Sequence, residues 1–69
     1  MQTMQDVDAV MEKWRQTKER AEQHDFPYIL YWEMRFELLY KDLKRQWNDR
    51  HAALFIKGVE KITQQLGYV

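Results

Sequence analysis

Residues 27–47 read PYILYWEMRFELLYKDLKRQW, and the spacing within this stretch decides the fold. Ile29, Trp32, Phe36, Leu39, Leu43 and Trp47 step by three or four, which lines side chains along one face of an α-helix. Tyr40 flanks that stripe. Just upstream, His24-Asp25-Phe26-Pro27 is the clearest boundary in the chain. Asp25 can accept hydrogen bonds from free amides of the following helix, and Pro27 fits a first turn, where a missing N–H costs nothing. Glu33 and Glu37 precede Lys41, Lys44 and Arg45, an order that complements the helix dipole. A helix over about 26–47 follows.

Beyond Trp47 the phase slips. Continuing the same helix would turn His51 and Gly58 toward the core, whereas Ala52, Phe55, Val59, Ile62 and Leu66 are the residues that look buried. A turn at Asn48-Asp49 accounts for the slip, with Asp49 as the cap of a third helix over about 50–66. One long helix with a stutter is the alternative that periodicity leaves open. Gly67 is expected to stop the third helix, with Tyr68 folding back onto Ile62. Gly58 in mid-helix costs about 1 kcal/mol relative to alanine and is expected to mark close approach by a neighbouring backbone.

On the other side of the boundary, Val7, Val10, Met11, Trp14 and Ala21 share one helical face of a segment over about 3–24. Thr3 or Asp6 can cap its start. Asp6, Asp8 and Glu12 come early and Arg15, Lys18 and Arg20 late, again matching the dipole. With one proline and two glycines in 69 residues, turns are few and an all-β chain is disfavoured. The fold expected is therefore all-α: a single domain over 1–69 forming a three-helix up-down-up bundle, which dimerisation could complete.

Composition narrows the chemistry. The chain is 45% hydrophobic and 32% charged, the profile of a folded domain, and ten aromatic residues supply ample buriable area. It holds no cysteine, so disulfides and thiolate zinc sites are excluded. Serine is absent as well, which leaves Thr3, Thr17 and Thr63 as the only aliphatic hydroxyls, and none has a histidine at a local helical spacing. Glu33 and Glu37 lie one turn apart, as carboxylates sharing a metal or proton would. The Glu-x-x-His element of di-iron bundles is missing, however, and Lys41 stands four residues after Glu37 as an ordinary surface partner. His24 and His51 fall at the two expected turns, and no glycine-rich loop is present to cradle phosphate. No enzyme, metal site or cofactor is expected.

Eleven basic residues balance eleven acidic ones, removing the long-range attraction used by most nucleic-acid and membrane-surface binders. No stretch approaches the roughly 20 apolar residues that span a bilayer. No basic region followed by an apolar run opens the chain, so no signal peptide is expected and the cytoplasm is the default location. The most basic stretch, residues 41–50, together with the third helix, supports an alternative reading as a small nucleic-acid-binding regulator. The exposed face of that helix nevertheless mixes Arg50, Lys57 and Lys61 with Glu60, Gln64 and Gln65.

The second helix carries more apolar surface than one core stripe needs. Opposite the main stripe, in its first half, stand Leu30, Tyr31, Met34 and Leu38. Helices one and three could bury both stripes of a central helix. Helix one, though, has a narrow stripe with Trp14 as its one large residue, and helix three is wide enough for one stripe alone. Supply exceeds demand, so Leu30, Tyr31, Met34 and Leu38 are expected to bind another protein, either a second copy or one member of a heteromeric complex. The functional expectation is a helical protein-interaction module with an accessory or regulatory role. Leu54 falls on the polar face of helix three and reads as an ordinary solitary exposed leucine.

Overall fold

A computed structural model describes residues 2–22 and 28–66. They form α1 (Met4–Glu22), α2 (Ile29–Arg45) and α3 (Asp49–Leu66), with no strand among the described residues. This is the expected three-helix bundle. The roles expected of His24, Asp25, Pro27, Gly67 and Tyr68 lie outside the described residues.

Local chemistry sets the ends that can be seen. Thr3 precedes α1, its carbonyl accepting from the Asp6 and Val7 amides at 3.0 and 3.3 Å. The Asp6 carboxylate reaches back to the Thr3 N–H at 2.8 Å, the return half of a capping box. Helix α2 ends at Arg45, two residues before the expected limit, because Gln46 turns to an extended conformation (φ −144°, ψ 107°). Asn48, not Asp49, caps α3: its side-chain oxygen accepts from the His51 N–H at 3.0 Å. Its carbonyl accepts the first helical bond, from Ala52, at 2.9 Å. Asp49 is already inside the helix and instead accepts the Trp47 indole N–H at 2.8 Å, which pins the connecting link. The break resolves the choice left open by periodicity, and α2 and α3 are separate helices.

All five residues expected on the inner face of α1 are buried, and so is Thr17. From α3, Ala52, Phe55, Val59 and Thr63 are buried, while Ile62 and Leu66 are only partly covered. The two threonines fit there for different reasons. The Thr17 hydroxyl donates to the Lys13 carbonyl at 2.9 Å, the back-bond that lets a helix bury this residue. The Thr63 hydroxyl oxygen is buried without a hydrogen-bond partner among the described residues.

Among the described helices, α1 and α3 pack against each other more extensively than either packs against α2. Val7, Val10, Ala52 and Val59 are short side chains, and short side chains let two helix axes come near. Helix α2 lies alongside this pair and reaches its core mainly through Phe36 and Leu43. Phe36 sits edge-on to Trp14 of α1 at 5.0 Å and to Phe55 of α3 at 6.1 Å, with Trp32 beside it at 5.5 Å. One phenylalanine thus links all three helices.

Candidate interaction surface

Helix α2 has three environments around its circumference. The flank toward α1 is polar. Lys18 bonds Glu33 at 2.7 Å, Arg15 bonds Glu37 at 3.3 Å, and the Tyr40 hydroxyl donates to Asp8. As the α1 numbers rise the α2 numbers fall, so the two helices run antiparallel. Arg15 and Lys44 also stand over the Tyr40 ring, at 5.7 and 5.0 Å. The hydrogen bond to Asp8 holds the Tyr40 proton and raises its pKa above the usual 10.0, with burial and the Asp8 charge acting the same way.

These contacts correct the expected pairing of Glu37 with Lys41. Glu33 and Glu37 fasten α2 to α1 instead of standing alone on a solvated face. Among the described residues, no group of three or more His, Asp or Glu side chains is placed to hold a metal ion.

The inner face is less completely buried than the six-residue stripe suggests. Ile29, Phe36 and Leu43 are buried and Trp32 is half-buried, but Leu39 and Trp47 are exposed. Trp47 escapes because α2 has already ended. Leu39 lies at the margin of the face turned toward α3, where it borders a groove.

The outer face is open. Leu30, Tyr31, Met34 and Leu38 are 69%, 54%, 67% and 63% exposed. All four residues singled out by their spacing therefore stand together on one uncovered side of α2. They leave on the order of 500 Å² of side chain open, toward the upper end of the apolar patches that monomers carry.

This patch continues into the groove between α2 and α3, a depression of about 620 Å³ walled by Tyr31, Leu39, Leu54 and Phe55 and bordered by Arg35, Asp42 and His51. Gly58 lines the same groove, and a Cβ built on it would meet nothing within 4 Å. Among the described residues, then, Gly58 accommodates no neighbouring backbone, contrary to its expected role. Leu54 is 64% exposed but not solitary. It stands one helical turn before Gly58 on the groove side of α3, and that four-residue spacing was the signal available in the sequence.

The basic stretch over 41–50 does not form a single cationic stripe. Arg45 pairs with Asp42 at 2.9 Å, Lys44 faces the Tyr40 ring, and Asp49 stands within the stretch. No helix of the described residues is long and apolar enough to cross a membrane. Comparison of the chain with protein-family models, with curated proteins and with solved structures finds no match to any of them.

Proposed function

We propose that this chain is a helical protein-interaction module whose contact surface is the outer face of α2. The observation that carries this reading is the joint exposure of Leu30, Tyr31, Met34 and Leu38 on the side of α2 opposite the core residues Ile29, Phe36 and Leu43. Solvating so much contiguous apolar surface is unfavourable, and burying it against another chain removes that cost. The polar links of α2 to α1 leave the outer face facing away from the bundle. Nothing in this reading calls for catalysis or a cofactor.

The test uses Met34 itself. A photoreactive methionine analogue incorporated in the producing cells is expected to crosslink through position 34, either to a second copy or to another protein. Met34→Glu or Leu38→Glu is expected to abolish that association while circular dichroism stays unchanged. Unfolding of either variant, or an absence of crosslinks from position 34, would show that the face is not a contact surface. The nucleic-acid reading has less support, given the zero net charge and the internal partners of Arg45 and Lys44. Its test is retardation of DNA or RNA in a gel at low salt.

A further inference from the structure

We infer that the occupant of this face is a second copy of the chain, docked as an antiparallel α2–α2 pair about a two-fold axis between Leu38 and Leu39. The inference rests on the interaction reading above and adds the partner and its orientation.

The charges on the open side supply the argument. Arg35 and Asp42 are seven residues apart, two turns, so they fall on nearly the same flank of α2. Both border the groove. Arg35 makes no ion pair with the described residues, and Asp42 is held only by Arg45, in a pair whose two side chains are 81% and 62% exposed.

When two identical helices run antiparallel, residues facing each other have numbers with a constant sum. Setting Arg35 opposite Asp42 of the second copy therefore sets Asp42 opposite the other Arg35, and one favourable contact becomes two. The axis this register demands lies within about two residues of the middle of Ile29–Arg45, so the helices overlap along almost their whole length. It also brings the two Leu38 side chains together at the centre. Met34 then lies against the aliphatic stems of the other copy's Lys41 and Arg45, whose charged ends stay in water.

The available area agrees. Adding the exposed Tyr28, Leu39 and Leu54 to the four outer residues brings their open surface to roughly 800 Å², against about 800 Å² per partner in a standard interface.

Charge reversal tests the arrangement on the full chain. Sedimentation equilibrium from about 1 μM to about 1 mM is expected to show a dimer. Arg35→Glu alone and Asp42→Arg alone are each expected to raise its dissociation constant tenfold or more, with helicity unchanged. An equimolar mixture of the two variants is expected to dimerise again, because each chain then offers the charge the other lacks. The double variant is expected to recover in the same way.

A wild-type monomer across the whole range overturns the second copy as occupant, while crosslinks from Met34 to a different protein would leave the interaction reading standing. A dimer indifferent to both charge reversals, or one the mixture fails to restore, overturns the antiparallel pairing. A dimer indifferent to Met34→Glu and Leu38→Glu overturns the pairing together with the use of this face.

Discussion

The α1–α3 seam and the outer side of α2 are built from the same class of residues and have opposite fates. The seam is made of Val7, Val10, Met11 and Trp14 from α1 with Ala52, Phe55 and Val59 from α3, all buried. Helix α2 is richer in large side chains, yet Leu30, Tyr31, Met34, Leu38 and Leu39 all remain exposed. Burial here follows fit more than hydrophobic content. Valines and alanine leave α1 and α3 room to approach around the larger Trp14 and Phe55, whereas α2 buries Ile29, Phe36 and Leu43 and leaves its outer side open. It attaches through an aromatic cluster around Phe36 and a row of polar links.

That contrast can be broken or sharpened by four tests, taken in order of their largest expected effect. Trp14→Ala removes a fully buried indole from the point where α1 meets Phe36. It is expected to cost about 3–5 kcal/mol, a large part of the stability of so small a domain. Met34→Ala, on the open side, should stay within about 0.5 kcal/mol when the monomer is unfolded in urea. Comparable losses at the two positions would erase the distinction between seam and outer face.

Gly58→Ala is expected to stabilise the monomer by about 0.8–1 kcal/mol, since alanine is the better helix former and a Cβ there meets nothing within 4 Å. A raised melting temperature would confirm that glycine at this position serves no packing need inside the chain. A lowered one would mean that the backbone there depends on glycine.

The polar flank should matter less. A double-mutant cycle on Lys18 and Glu33, whose side chains are 19% and 33% exposed, is expected to give a coupling of about 0.2–1 kcal/mol that shrinks with salt. Arg15 with Glu37, longer and more exposed, should give less. A coupling well above this range would make the ion pairs, rather than Phe36, the principal attachment of α2.

The smallest effect concerns Tyr40. Its raised pKa means that the folded state prefers the neutral phenol. The associated stability is present below pH 10 and is lost as pH rises through the folded value. Above pH 10, wild type should therefore lose stability faster than Tyr40→Phe, as read by denaturant unfolding at stepped pH. Parallel curves for the two proteins would show that the bond to Asp8 contributes nothing.

Much of this molecule was legible in the order of its residues. The apolar spacing of α1 marked five inner residues, and all are buried. The phase slip after Trp47 located the break between α2 and α3, because a straight helix cannot shift its apolar face without interruption. The same spacing set Leu30, Tyr31, Met34 and Leu38 apart as a second stripe. Residue types are local facts, and regular helices convert their spacing directly into faces.

Other features arose only when the helices were brought together. Periodicity describes each helix separately, and it could not say that α1 would choose α3 as its closest neighbour. It assigned Leu39 and Trp47 to a core that α2 does not fully enter. It paired Glu37 with Lys41 on its own helix, whereas Arg15, from 22 residues away in sequence, is the partner in space. Nor could it show that Gly58 and Leu54 border a groove with Leu39, since a groove exists only between two helices already placed. The sequence by itself determined three amphipathic helices and the surplus apolar stripe on the second. Tertiary structure alone decided which faces were covered, because burial depends on the shape and charge of the facing element, and those contacts join residues far apart along the chain.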